Sequence, residues 1–546
     1  LSLRVSAVAL LAGAGSLWAA ASLRTVEDGF GALRSLKDQA DVAMEREGSA
    51  TAGGRGLPRA YETMRARVAT QLAAVKPPGD PADQRALAIM TRALENDLPA
   101  SLDQAETPAA APACDADVAA IAAGPDAWAR LRAQLYGCFG TAARGLRVGD
   151  EPVDRLTILG RLGETDDPAQ RRRLFLALEP LWRAVNGDGG PRSPYRQLMG
   201  LLGARVREGR SPVAAELEAL GVPAERVESW LVSMLEAWRA AHPGDIEPWD
   251  FWYLGHEAAR ALDPRVPRDR LEAVNADYYR SLGADPDRLR VRYDLLPRPG
   301  KTPVAYTTFG SRQPDATGVW RAGEVWVFAT YRQGGLGNLV ELLHETGHGL
   351  HVAAIRSRAA FVDWPDSTTF TEAIADVPAL EAYEAEWQQR YLGASAAPAD
   401  SLRAKYAPVM LDVAWGLFEM RMARDPQADP NVVWTDVTQR YLGIRPHPEW
   451  SWWALRGQLV HEPGYMLHYA IGAVVAADVR ARCRELRGPF ARPDAGYYDW
   501  LSARLFRFGL ERPTRDVLSE FLGRPVAPDA VLGDLARLRA PSTSPR

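Results

Sequence analysis

Cysteine, histidine and surplus basic charge are all scarce in this chain, and each scarcity narrows what it can be. Three cysteines, Cys114, Cys138 and Cys483, are too few for a disulfide scaffold. No Cys-x-x-Cys pair or Cys/His cluster marks a cysteine-built metal site. A formal net charge of −4 lacks the basic excess of a nucleic-acid binder, so no nucleic-acid partner is expected. No polybasic patch suggests a membrane surface either. What is plentiful is apolar sequence: 47% hydrophobic residues over 546 positions can build a substantial core. The chain has only eight histidines, so any histidine pattern carries information.

The N-terminus departs from this average. Arg4 precedes an apolar run from Val5 to about Leu23 that passes through Ala19, Ala20 and Ala21 before polar sequence begins. A charged start, an apolar middle and a small-residue exit are the parts of a secretory signal. Residues 1–23 are therefore expected to direct export, to a periplasmic or extracellular location. The competing reading is an uncleaved anchor, the one route to a membrane association. In an exported protein Cys114 and Cys138 could bridge a local helical hairpin; the alternative is that all three cysteines are ordinary thiols.

Residues 24–150 read as an N-terminal helical region, with breaks at Gly53-Gly54, Pro77-Pro78 and the Ala/Pro stretch 107–113. A catalytic region is expected over 151–540, followed by a short tail at 541–546. From 155 to 262 apolar residues such as Trp182, Tyr195, Leu198 and Leu202 recur at helical spacing. Between 289 and 331 the pattern changes to alternation in three stretches that begin at Leu289, Pro303 and Glu324. Gly and Pro separate them, which predicts a small sheet. Helical sequence then resumes at Asn338, predicted as the cap of the next helix.

That helix carries His344-Glu-Thr-Gly-His348. Positions i and i+4 share a helix face, so His344 and His348 can hold one metal ion. Glu345 projects beside them, where a carboxylate can take a proton from a metal-bound water. The pattern points to a single zinc ion and a peptide hydrolase. His351 continues the stripe but stands nearly two turns from His344, so it should point past the ion and line the cleft or orient a neighbour. His256-Glu-Ala-Ala-Arg260 repeats only the first half of the motif, and Arg at i+4 cannot ligate.

A third protein ligand should come from another helix, leaving a fourth position open for water. Glu372 is the candidate. Its competing role is structural, because Thr369-x-x-Glu372 also spells a capping box. Asp376 lies one turn on, suitably placed to hold a ligand histidine by its second ring nitrogen. A cap alone needs no such partner.

With these residues in view, His344-Glu-Thr-Gly-His348 followed by Glu372-Ala-Ile-Ala-Asp376 resembles the zinc dipeptidyl carboxypeptidases of the angiotensin-converting enzyme family. His351, Pro248-Trp249-Asp250 and Tyr293-Asp-Leu-Leu instead resemble the thimet oligopeptidase family. The resemblance runs from about residue 175 to 485. It implies a mainly α, two-lobed metallopeptidase fold with a deep channel and a small antiparallel sheet beside the metal helix. It further implies a late-chain histidine and tyrosines facing the metal, for which His461, Tyr465 and Tyr469 are the matching candidates as oxyanion donors. A strand at 324–330 would present Ala329 and Thr330 to an extended substrate; a plain core strand is the alternative. Arg456 and Gln458 are candidate anchors for a free substrate carboxylate. The implied activity is hydrolysis of short unstructured peptides by a monomer. Two alternatives stay open: an inactive peptide-binding relative, and a helical scaffold around a structural zinc.

Overall fold

The computed structural model describes residues 22–47, 56–102, 114, 118–211, 213–298, 301 and 304–539. The predicted leader, apart from Ser22 and Leu23, and the tail at 541–546 lie outside these residues. Among the described helices none is long and apolar enough to cross a membrane. The chain divides into two compact units. The smaller runs to Asp103 and takes in Arg358–Phe361. It is built on helices Leu23–Glu47, Leu57–Ala73 and Pro81–Asn96. Within it Arg358 forks onto Glu27 at 3.0 and 2.9 Å and reaches Asp83 at 2.6 Å. The larger unit holds everything from Gln104 onward except that short segment. The division thus falls near 103 rather than at 150. The reason is the helix Ala127–Arg144, which buries Leu131, Leu135 and Phe139 inside the larger unit. Cys138 on that helix is disulfide-bonded to Cys114, with Cα atoms 5.6 Å apart.

The fold is mainly α, as expected, with one small sheet that sets the position of the motif helix. Strands β1 (Val291–Asp294), β2 (Tyr306–Pro314) and β3 (Trp320–Phe328) assemble in the order β1-β3-β2. A two-residue strand β4 (Arg356–Ser357) pairs with the start of β3. The sheet is mixed rather than antiparallel. β2 and β3 form a hairpin, but the chain leaves β1, skips one slot to lay down β2, and returns β3 into the gap, so β3 runs parallel to β1. β3 therefore has neighbours on both sides and is no edge. The outer strands are β1 and β2, and of the two β2 carries Tyr306 and Thr307.

Helix α1 (Leu336–Ala354) packs on this sheet and carries the histidine motif. It begins two residues before the predicted Asn338 cap. Its first free N–H, from Leu336, is satisfied by Asp263 at 2.7 Å, a partner distant in sequence. Asn338 lies inside the first turn and reaches back to the carbonyls of Gln333 and Gly334. Helix α2 (Thr368–Ala379) crosses α1 very closely. A Cβ on Gly347 would stand 2.7 Å from the Ala375 carbonyl, and one on Gly349 would stand 3.2 Å from Val291. Glycine at these two positions lets α1 press against a helix on one side and the sheet on the other. Helices α3 (Pro398–Arg424) and α4 (Met466–Arg487) complete the surroundings. Trp415 on α3 donates to the Trp453 carbonyl at 2.8 Å, and the buried Trp434 and Trp452 pack beside it.

Candidate metal centre and active site

His344 and His348 project from one face of α1, and Glu372 projects from α2 toward them. Glu372 Oε2 stands 3.4 Å from His344 Nε2 and 3.7 Å from His348 Nε2. The three possible ligand atoms lie within 4.8 Å of one another, and among the described residues no other group of three or more His, Cys, Asp or Glu does so. Donors at about 2.05 Å around a tetrahedral zinc stand about 3.3 Å apart. Both edges measured here come close to that figure. Two imidazoles and one carboxylate, with a position left open, is also the donor set of a catalytic rather than a structural zinc site. The residues present fit a divalent ion.

The competition between cap and ligand at Glu372 has a structural resolution. Ser367, not Thr369, is the N-cap of α2, accepting from Phe370 N at 3.0 Å. Glu216, on the helix Ala214–Leu220, accepts from Ser367 Oγ and, at 2.8 Å, from Thr369 N. With the helix start already satisfied, Glu372 has no capping duty. Its side chain is 43% exposed, so the site opens to solvent on that side.

Asp376, one turn along α2, binds His344 Nδ1 at 2.8 Å and so turns Nε2 toward Glu372. Burial alone would lower the His344 pKa, but Asp376 and Glu372 outweigh it and raise it well above the ordinary imidazole value. Burial likewise opposes ionisation of Glu372, yet the two imidazoles hold its carboxyl well below the usual range. Each partner favours the charged form of the other, the electrostatics of a site suited to a cation. Glu345 is buried, and its carboxylate accepts from the Thr307 hydroxyl at 2.7 Å. The same hydroxyl lies 2.8 Å from the Glu345 carbonyl. Thr307 on β2 thus fixes the direction of the Glu345 carboxylate.

Two cavities of about 370 and 280 Å³ meet at this centre. One is lined by Tyr306, Thr307, Glu345, His348 and Trp364; the other by His344, Asp376, Tyr465, His468 and Tyr469. Thr368 and Glu372 line both. Tyr465 and Tyr469 thus line the same cavity as His344 and Glu372. Burial, with Glu372 nearby, raises both phenol pKa values, so both stay protonated and can donate at neutral pH. Gln458 donates to the Tyr469 hydroxyl at 3.4 Å, and Arg456 is paired with Asp412 at 2.6 Å.

Other predicted residues lie elsewhere. His461 is exposed, outside both cavities, with its ring 4.3 Å from that of Tyr136 and its carbonyl accepting from Arg132. Gly464, at φ +98°, breaks the chain before α4 starts, which leaves His461 on a separate short helix. His468 occupies the cleft in its place. Burial lowers the His468 pKa, so its ring is neutral at pH 7. The signal was present in the sequence: Pro463-Gly464 is a breaker, and Tyr465, His468 and Tyr469 at i, i+3 and i+4 share a face.

His351 lines neither cavity, and its ring packs edge-on against Trp364, which lines one of them. It is fully buried among Trp364, Phe370 and Phe506, and neither ring nitrogen has a partner. Burial there lowers its pKa to about 3. Ala329 is also unsuited to its expected role. Its N–H donates to the Asp294 carbonyl at 3.0 Å and its own carbonyl accepts from Lys301 Nζ, so neither is left for a substrate. Thr330 follows it at the end of the central strand. Thr307 and His468 are the site residues that sequence reasoning missed. For Thr307 no sequence signal exists, since its role depends on strand order.

No family model and no curated protein matches the sequence. Solved structures do match in fold. A candidate oligoendopeptidase F shares 17% identity over 96% of this chain and 97% of its own, with a TM-score of 0.55. A carboxypeptidase from Pyrococcus furiosus shares 14% identity over 95% and 99%, with a TM-score of 0.53. An M32 carboxypeptidase from Deinococcus radiodurans R1 shares 15% identity over 95% and 98%, with a TM-score of 0.51. The chain has the fold of these large helical metallopeptidases along nearly its whole length.

Proposed function

We propose that the chain is a zinc peptidase that hydrolyses short unstructured peptides, as an oligopeptidase or a peptidyl-dipeptidase. The observation that carries this reading is the convergence of His344, His348 and Glu372 beside a buried, hydroxyl-aimed Glu345. A structural zinc would fill all four positions and would need no such base. The fold shared with oligoendopeptidase and carboxypeptidase structures supports the same class. The affinity to the converting-enzyme and thimet families rests on the motifs alone.

Bound zinc would supply Lewis-acid chemistry, polarising a carbonyl and making water acidic near neutrality. The remaining work falls to the chain. Glu345, aimed by Thr307, takes a proton from the attacking water and returns it to the leaving amine. Tyr465 or Tyr469 donates to the oxyanion that develops, an interaction worth about 3–4 kcal/mol of barrier in a comparable case. His468, neutral and in the same cavity, is a second donor. An extended substrate runs along the cavity wall at Tyr306 and Thr307 on the outer strand β2 rather than at Ala329 and Thr330. We further propose that the enzyme is exported and acts as a monomer. The Cys114–Cys138 disulfide suits an oxidising compartment, in agreement with the charged-then-apolar N-terminal sequence.

The test uses metal-stripped and zinc-loaded protein on a mixed library of short peptides, with products identified by mass. Cleavage that needs zinc and disappears in Glu345→Gln is the expected result. Loss of C-terminal dipeptides would mark a peptidyl-dipeptidase, and internal cuts an oligopeptidase. Zinc bound with no cleavage of any peptide would sink the catalytic reading and leave a peptide-binding protein.

A further inference from the structure

A second cavity, of about 910 Å³, lies away from the metal centre between the start of β3, the C-terminal end of α1 and the turn that leads into β1. Its volume falls in the range of small-ligand sites. Its charge is one-sided. Arg288, Arg290, Arg321 and Arg356 line it, and among the described residues none of the four forms an ion pair. Of its two carboxylates, Asp285 is held by Arg280 at 3.4 Å, which leaves Asp499 alone to face four guanidinium groups. The carbonyls at the end of α1 offset part of the charge of Arg356. Arg288 and Arg290 have no carboxylate partner among the described residues, and Arg321 is offset only in part, by Asp315.

Arg288, Arg290 and Arg356 are exposed to solvent; two further observations bear on what the cavity holds. Arg321 Nε is buried without a partner, a donor with nothing to donate to. Arg290 has φ +57°, one of only two non-glycine residues with positive φ among the described residues. Glycine would hold that turn without strain, whereas an L side chain pays for the left-handed region. Arg290 Nη1 donates to the Gly323 carbonyl at 3.4 Å, and the strained turn holds the guanidinium at the cavity wall with its other donors unpaired among the described residues.

We propose that this cavity binds a small anion bearing two or more charges, of phosphate or polycarboxylate type, recognised by forked contacts from Arg288, Arg290 and Arg321. The site is independent of the proposed peptidase chemistry. Calorimetric titration of the full chain with pyrophosphate and, separately, with citrate tests it, with and without prior removal of metal. Binding of either anion to both forms is expected, weakening as sodium chloride is raised. Binding of pyrophosphate alone would assign a phosphorylated ligand, and binding of citrate as well a site that also takes carboxylates. Arg290→Gly keeps the turn and removes the side chain with its 3.4 Å hydrogen bond to the Gly323 carbonyl, so it should stay folded and bind at least tenfold more weakly. Arg321→Gln should weaken binding similarly, and Glu345→Gln should not. Heat seen only with metal present would place the anion at the metal centre and overturn the proposal. Unchanged binding by Arg290→Gly, or no binding of either anion, would overturn it too.

Discussion

Replacing Gly347 by alanine tests how closely the metal centre depends on one helix contact. The new Cβ would stand 2.7 Å from the Ala375 carbonyl oxygen and 3.0 Å from its Cα. Both neighbours are backbone and cannot swing aside, so α1 and α2 must part by about 0.5 Å to restore ordinary contact. The ligand atoms sit across that same contact, with the histidines on α1 and Glu372 on α2. Metal–ligand distances tolerate only about ±0.2 Å. The loss should therefore resemble that of an outer-sphere mutation, about 10- to 100-fold in metal affinity, or about 1.4–2.8 kcal/mol. Global stability is the poorer readout. Overpacking costs about 1–3 kcal/mol, while alanine gains about 1 kcal/mol of helix propensity over glycine, so the two partly cancel. The assay is competition for zinc against a coloured chelator, with Gly337→Ala as control. Gly337 is on the same helix with nothing within 4 Å of an added Cβ. Wild-type zinc affinity in Gly347→Ala would refute the view that this crossing sets the ligand spacing.

Asp376→Asn should weaken zinc binding about 10- to 100-fold through loss of the charge behind His344, again read by chelator competition. For His351 the sign follows from burial: its folded pKa of about 3 lies below the unfolded value of about 6.5. The unfolded chain alone gains the proton between those values, so stability falls as pH drops through that window and is complete above it. His351→Leu should flatten that slope and at pH 5 raise stability by about 2 kcal/mol relative to its effect at pH 8; parallel urea curves at the two pH values check this, and an unchanged slope would count against it. Cys114→Ser opens a loop of 24 residues and should cost about 3.5 kcal/mol at most by chain entropy, visible as a lower thermal midpoint under oxidising conditions only.

Much of the site was legible because it rests on local periodicity. His344, Glu345 and His348 need only a helix, and Asp376 only one more turn of the next. What was hidden depended on partners remote in sequence. Asp263 caps α1 and Glu216 braces α2, so neither Asn338, predicted as a cap, nor Thr369, the capping alternative weighed against Glu372 as ligand, holds those ends. The resemblance offered Ala329 to the substrate, with a plain core strand as the alternative, and insertion of β3 between β1 and β2 makes its strand the central one. No reading of alternation reveals strand order. His461 is different, since Pro463-Gly464 already separated it from the helix that carries Tyr465 and Tyr469. The buried His351 shows the converse: a histidine on the right stripe can still be an apolar-box residue.

The crossing of α1 and α2 also bears on how the protein would respond to its surroundings. A bound ion would tie His348 to Glu372 across a stretch of chain about as long as the one closed by Cys114–Cys138. The larger unit thus carries two clasps of similar span, one covalent and one ionic. The first opens to reductant and the second to chelator or acid. Each ion held would add to folding stability in proportion to the logarithm of its free concentration, while α2 keeps its buried face and its Glu216 and Tyr278 hydrogen bonds without the ion. Starvation for the metal would then leave an inactive chain that remains folded and can be recharged.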